Sequence, residues 1–310
     1  MSFTVTILGS GAALPTFSRN PTSQYVICND RHILIDCGEG TQLQIRKYGL
    51  KFQKLTHILI SHLHGDHYFG LVGLLSTMHL LGRNQGVKVY GPEGLEQIIK
   101  SQLEIGGARL DFSIEFTVLD GKSSGCLFED KLIEIHTFPL KHRISTNGFV
   151  IKEKQKERIL KGDLFKEDKL SLALIPFFKR GEDVIDNETG KTYSFEKYTL
   201  PPKPVYSYAY CSDTMYYESV ISKIENVSFL YHEATFLEKD RSRAKATYHS
   251  TAKDAAKVAL KANVGKLLLG HLSARFENGK EHENEAKTIY ENVVVVEDGD
   301  VYQIDGEFKL

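Results

Sequence analysis

Residues 57–81 read HILISHLHGDHYFGLVGLLSTMHLL, and this stretch decides the fold. It opens on an apolar strand, HILIS at 57–61, and closes on a helical run, GLVGLLSTMHLL at 70–81. His62, His64, Asp66 and His67 sit in the turn between the two. In an open α/β sheet, side chains converge on a ligand at strand-to-helix turns of this kind. Three imidazoles and a carboxylate within six residues suit a divalent cation such as zinc, which takes nitrogen and carboxylate oxygen. In extended backbone His62 and His64 point the same way and reach one ion. Asp66 and His67 lie past the turn, placed for a second.

Working outward, strands and helices alternate on both sides. FTVTIL is followed by Gly9-Ser10-Gly11, a tight turn that lacks the third glycine of a dinucleotide loop. QYVICND and RHILIDCG, joined around Asn29 and Asp30, read as a hairpin. After the central helix come VKVYG, closed by Pro92, and a helix running from Pro92 to about Glu104. The second half repeats the rhythm with PVYSYAYCS (204–212), VSFLYHE (227–233), a helix over 251–263, KLLLG (266–270), a helix near 282–291, and VVVVEDGDVYQI. Ala252, Ala255, Ala256 and Ala259 share a helical face, and Ser250 or Thr251 can cap that helix. Interspersed strands and helices predict a layered α/β protein. The tyrosines of VYSYAYC alternate as core positions of a strand do.

Residues 152–204 differ. KEKQKER, KGDLFKEDK, the apolar patch LALIPFF and a polar run ending in Pro201-Pro202 have dense charge and weak periodicity. They predict an arm inserted into a single domain spanning 1–310.

Composition narrows the function classes. With 39 basic against 40 acidic residues and a net charge of −1, a generally basic nucleic-acid coat protein is excluded. The longest mostly apolar stretch, Tyr68 to Gly82, is too short for a membrane span and carries His79. MSFTVTILGSG has none of the parts of a secretory signal, and Cys28, Cys37, Cys126 and Cys211 form no Cys-x-x-Cys pair. Reduced thiols in a cytoplasmic chain are expected.

Two cations need more ligands, and three candidates stand where apolar runs end. His142 follows LIEIHTF, Asp213 ends YSYAYCS, and His271 ends KLLLG. Taken singly, each is more often a satisfied loop residue; beside the histidine cluster the balance reverses. Asp213, with two carboxylate oxygens, has the chemistry to bridge. Asp36, in DCGEG, is better placed to orient ligand loops than to bind metal. His32, His57, His79, His136, His232 and His282 are assigned to structure.

HLHGDH, with LGSGAALPTFSRN, DCGEGTQ (36–42), SDT (212–214), HEAT (232–235), HST (249–251) and GHLSARF (270–276), resembles the ribonuclease Z family of the metallo-β-lactamase superfamily. These are endonucleases that mature transfer-RNA 3′ ends. The resemblance covers roughly 1–150 and 205–310. It implies a four-layer αββα sandwich with two zinc ions, or manganese or iron on the same ligands. His62, His64 and His142 would hold one ion, Asp66, His67 and His271 the other, and Asp213 would bridge. Asp66 would also orient the nucleophile, and His249, oriented by Glu233, would protonate the leaving oxygen. Ser273 and Arg275 are candidate contacts to the substrate phosphate, with a salt bridge as the plainer reading of Arg275. Precursor tRNA is the implied partner and a homodimer the implied assembly. The alternative is a phosphodiesterase of small molecules on the same fold. It is suggested by an arm without the Gly-Pro motif of bacterial relatives, since the chain's one Gly-Pro pair is Gly91-Pro92. The arm's cations (Lys152, Lys154, Lys156, Arg158, Lys161, Lys179, Arg180) are nearly offset by acids, so phosphate binding and a solvated charged face both remain open.

Overall fold

The computed structural model describes residues 3–304 and divides them into two compact units. The larger comprises residues up to 129, 133–152 and 206 onward; the smaller comprises 130–132 and 153–205.

Two seven-stranded sheets build the larger unit. The first runs, edge to edge, Val301–Gln303, Phe3–Gly9, Ser23–Cys28, Arg31–Cys37, Leu55–Leu59, Val87–Pro92, Ile114–Leu119. The second runs Val293–Val295, Lys266–Gly270, Phe229–Glu233, Ser207–Cys211, Asn147–Glu153, Ile133–Pro139, Gly125–Glu129. VVVVEDGDVYQI therefore splits, one strand to each sheet.

Side-chain alternation explains why two sheets stack and why each carries helices outside. In Ser207–Cys211, Tyr208 and Tyr210 point one way, and their hydroxyls donate to Gln24 and Asp36 of the opposite sheet. Ala209 and Cys211 point the other way, into a core shared with Ala252, Ala255, Ala256 and Ala259 of the helix Ala252–Lys261. Small alanines let that helix lie close on the sheet. Thr251 caps it in a reciprocal box with Asp254. On the first sheet Leu34, Ile58 and Val89 pack with Leu71, Leu74, Leu75 and Met78 of Leu71–Leu80 and with Leu95 and Ile99 of Leu95–Ile105. With both faces covered, the central strands are buried almost throughout. The four-layer αββα order expected from sequence is present.

The hairpin turns on Asn29 and Asp30, at φ 49° and 63°, the left-handed pair that matches strand twist. Two boundaries are corrected. Pro92 ends a strand, and the helix begins at Leu95 behind Gly94, whose φ of 90° reverses the chain. The helix expected near 282–291 spans Lys280–Lys287, because Gly279 precedes it and Tyr290 turns back to donate to the Val264 carbonyl.

The smaller unit has its own minimal core. Phe165, Phe178 and Tyr198 are buried, and the Phe178 and Tyr198 rings stack 5.3 Å apart. Short helices (Gly162–Glu167, Ile175–Arg180, Phe195–Tyr198) and two-residue strand pairs surround it, too short for periodicity to register in sequence. Several of its cations are spoken for: Lys156 pairs with Glu153 at 2.8 Å, Lys179 with Glu157 at 3.1 Å, Arg180 with Glu182 at 2.8 Å. Arg158 lies over the Phe195 ring and donates to Thr199.

Candidate metal centre

Four loops deliver the sequence-predicted ligands to one place, and a fifth brings His249 beside them. His62, His64, Asp66 and His67 come from the turn after Leu55–Leu59, His142 follows Ile133–Pro139, Asp213 follows Ser207–Cys211, and His271 follows Lys266–Gly270. His249 comes from the link between the helices Arg241–Thr247 and Ala252–Lys261. Two non-glycine residues there, Asp36 and His271, hold φ near 56°, a conformation tolerated where surrounding bonds over-determine it.

The ligating atoms sort into two groups around one carboxylate. His62 Nε2 is 3.0 Å from His64 Nδ1 and 3.5 Å from Asp213 Oδ2; His142 Nε2 is 3.3 Å from His64 Nδ1 and 3.8 Å from Asp213 Oδ2. On the other side His67 Nε2 is 3.3 Å and His271 Nε2 3.1 Å from Asp213 Oδ1, with Asp66 Oδ2 3.4 Å from His67 Nε2. Each Asp213 oxygen thus faces one histidine set.

The far ring nitrogens are committed elsewhere, which fixes tautomers. His142 Nδ1 faces the Tyr248 carbonyl at 2.9 Å; a carbonyl only accepts, so Nδ1 carries the proton and Nε2 is left with its lone pair. His67 Nδ1–H donates to Asp36 Oδ2 at 2.8 Å, and Asp36 also accepts from Ser61 and the Tyr210 hydroxyl. His271 Nδ1 is 2.8 Å from Thr22 Oγ1 and His62 Nδ1 3.0 Å from Ser61 Oγ. Gly38 is required beneath this lattice, since a Cβ there would come within 2.5 Å of the Asp66 carbonyl oxygen.

Burial and charge agree with a cation site. Burial pushes His62 down to about 4, and His64 and His142 also fall below the usual imidazole range, so these three are neutral donors. Burial opposes the charge on Asp213, yet His271 and His67 beside it hold its carboxyl well below the ordinary range. Among the described residues two buried atoms at the centre, His67 Nε2 and Asp213 Oδ1, make no well-aligned hydrogen bond, although they stand 3.3 Å apart. Buried groups left in that state are explained by a cation, and this donor set of imidazole and carboxylate fits zinc, manganese or iron.

His249 lies at the edge. Its Nδ1–H donates to Glu233 Oε1 at 2.9 Å, and its Nε2 is 3.9 Å from Asp213 Oδ2. With Asp213 and His271 it forms a third group of ligand type, a role the sequence reading did not give it. Burial works against its charge, but the Glu233 and Asp213 carboxylates outweigh that and raise it to about 9.

A cleft of about 730 Å³ opens over His64, Asp66, His142 and His249. Ser273 and Arg275 line it, and Arg275 forms no ion pair among the described residues, unlike the plainer reading of that side chain. Arg143 and Arg243 line it too, and no pattern in the sequence singled them out. Ser61 stood inside the motif string and was readable as an orienting residue; Thr22 and Thr235 were not, since loops bring them from afar.

Comparison with known proteins follows the same lines. A family model described as anti-Pycsar protein Apyc1 matches residues 3–172. A Parabacteroides distasonis protein named ribonuclease Z is 42% identical over 297 residues, 96% of this chain and 97% of that protein. Among solved structures, human tRNase Z, short form, aligns with a TM-score of 0.70 at 28% identity, covering 97% of this chain and 99% of that one. The metallo-β-lactamase fold protein YhfI from Bacillus subtilis aligns at 0.69 with 18% identity, covering 98% and 100%, a likeness of fold.

Proposed function

The chain belongs to the ribonuclease Z family and, through residues 3–172, to the domain family described as anti-Pycsar protein Apyc1, and on that premise we propose how its residues cut RNA. It is a metal-dependent endoribonuclease that removes the 3′ trailer from precursor tRNA, and its fold is that of the metallo-β-lactamases. The relatives' similarity runs through both halves, so the small-diester alternative is not favoured.

The observation that carries the reading is the placement of Asp213, each of whose oxygens faces a separate histidine set. Two zinc ions per chain are proposed: His62, His64, His142 and Asp213 would hold one, and Asp66, His67 and His271, with Asp213 beside them, would hold the other. Bound cations of this kind bring water's pKa down towards 7 and neutralise phosphoryl oxygens. Asp66, its Oδ2 fixed by the Ala13 N–H at 2.8 Å, orients the attacking water and accepts its proton. Water's oxygen adds to phosphorus, the P–O3′ bond breaks, and His249 Nε2 delivers a proton to the departing ribose oxygen. Glu233 holds His249 in the tautomer and charge state for that task. The tRNA keeps a 3′ hydroxyl and the trailer a 5′ phosphate. Ser273 and Arg275 meet the scissile phosphate, where a guanidinium pairs two oxygens at once.

The arm is proposed as a tRNA contact, on its exposed Lys166, Lys169 and Phe177 and not on its ion-paired cations. Exposed Leu43, Leu80 and Leu81 on neighbouring helices support a homodimer. No helix among the described residues is long and apolar enough to cross a membrane, and the buried Cys37 and Cys211, neither of them in a disulfide, accord with a cytoplasmic setting.

The test pairs a 5′-labelled precursor tRNA with bis-p-nitrophenyl phosphate, each with and without chelator and with zinc or manganese restored. Metal-dependent cleavage at one position beside the discriminator base supports the reading. Hydrolysis of the small diester with intact RNA would overturn it.

A further inference from the structure

The segment from Ser10 to Thr22 touches the candidate centre at two points. Ala13 N–H donates to Asp66 Oδ2 at 2.8 Å, and Thr22 Oγ1 lies 2.8 Å from His271 Nδ1. Between them Gly11–Ala12 runs parallel to Leu272–Ser273, the residues just past His271, and Leu272 N–H donates to the Ser10 carbonyl at 3.1 Å. Two members of the second cluster, Asp66 and His271, therefore take their orientation from this segment. It contains only two residues of regular strand, Gly11–Ala12, so its shape depends on what anchors it.

Arg19 ties the segment's middle to the Phe276 carbonyl at 3.0 Å, and one carboxylate from the far end of the chain grips it on both sides of that point. Asp298 Oδ1 accepts the Ser10 N–H at 2.9 Å and the Ser10 hydroxyl at 2.7 Å. Asp298 Oδ2 accepts the Asn20 N–H at 2.7 Å, the Asn20 side-chain amide at 2.9 Å and the Gln44 amide at 3.3 Å. Five donors converge on one carboxyl group, and nothing but acceptor oxygens faces them. The turn carrying Asp298 is itself fixed by the Gly299 N–H on the Ile7 carbonyl at 2.8 Å. No hydrogen bond among the described residues joins this segment to His62, His64 or His142, which are oriented by Ser61, Tyr248 and one another.

We infer that Asp298 is a positioning residue for the second cation: by pinning Ser10 and Asn20 it sets the Ala13 amide against Asp66 and the Thr22 hydroxyl against His271. This rests on the two-cation reading above. Occupied by five donors, Asp298 is not itself a ligand. Its effect is confined to one of the two ions, and that asymmetry separates positioning from general bracing of the fold.

The test measures zinc and manganese binding by equilibrium dialysis with elemental analysis, and cobalt absorption as a spectroscopic signature. It uses the full-length wild type, Asp298→Asn and the milder Ser10→Ala. Wild type is expected to bind two ions per chain. Asp298→Asn should keep one at wild-type affinity and lose about tenfold or more on the other, as outer-shell changes do. Ser10→Ala should weaken that same ion by less. A folded Asp298→Asn that binds both ions as wild type does, or loses both equally, overturns the inference. Should Asp298→Asn not fold, unchanged second-ion affinity in Ser10→Ala overturns it. Wild type that binds no ion sinks the two-cation reading itself.

Discussion

Glu233 Oε1 stands 2.9 Å from His249 Nδ1, and the same fully buried carboxylate accepts the backbone N–H groups of Thr214, Thr235 and Ser250, each at 3.0 Å. Thr214 follows Asp213 and Ser250 follows His249, so one carboxylate holds the Asp213 loop and the His249 loop together. The sign of its electrostatic effect is fixed: a negative neighbour favours the imidazolium, and a leaving-group acid must be protonated to act. With His249 as the proposed leaving-group acid, cleavage should therefore fall as pH rises past the pKa of His249, which Glu233 and Asp213 raise to about 9. Glu233→Gln removes the charge but keeps an acceptor, so the alkaline limb of kcat should move to lower pH. A pH–rate profile with an unmoved limb would separate Glu233 from the proton transfer.

His249→Ala should slow cleavage of precursor tRNA by about 10²- to 10⁴-fold, the range of a lost general acid. Both cations should remain, since Asp213 and His271 stay in place. Metal analysis of the purified variant decides: loss of an ion makes His249 a ligand, the role its 3.9 Å approach to Asp213 leaves open.

Asp66→Ala should abolish hydrolysis while the fold survives. Among the described residues the Asp66 side chain bonds the Ala13 amide and faces His67, neither of them a contact between the two sheets, so its removal leaves the sheets untouched. Circular dichroism and a thermal melt would check the fold. Wild-type cleavage by this variant would refute the assignment of the centre.

Excising 153–205 is a geometrically mild cut, because Lys152 and Ser207 are directly paired on adjacent antiparallel strands. With Tyr206 retained, one added glycine gives a two-residue connection between them. The shortened protein should hydrolyse bis-p-nitrophenyl phosphate at close to the wild-type rate and bind precursor tRNA far more weakly. Equal losses on both substrates would assign the arm to support of the centre.

Thr251→Ala removes one half of the capping box with Asp254 and should cost about 1 kcal/mol. Urea unfolding of the cation-loaded protein at a fixed free metal concentration measures it. A cost near zero would mean that the Arg241–Asp254 pair at 2.8 Å holds the helix start alone.

Much of the centre was readable because chemistry and local order coincide in it. His62 to His67 are contiguous, and His142, Asp213 and His271 each follow an apolar strand, so residue type and position carried the same message. The alternation of Tyr208 and Tyr210 with Ala209 and Cys211 likewise disclosed a strand between two layers. The helix start at Leu95 was misplaced because Pro92 suits both a strand end and a first helical turn, and local preference does not decide between them. The small unit at 153–205 hid its core because three aromatic residues on three short elements make no period.

By itself the sequence determined the layered α/β class, the residues with metal-binding chemistry and their places at strand ends. These follow from alternation, turn chemistry and side-chain type, all properties of neighbours along the chain. Only the tertiary structure decided which oxygen of Asp213 faces which histidines, which ring nitrogen of His142 keeps its proton, and that Asp298 grips Ser10 across 288 positions. Those relationships depend on the register and stacking of two sheets, which set distances between residues that have no regular spacing in the chain.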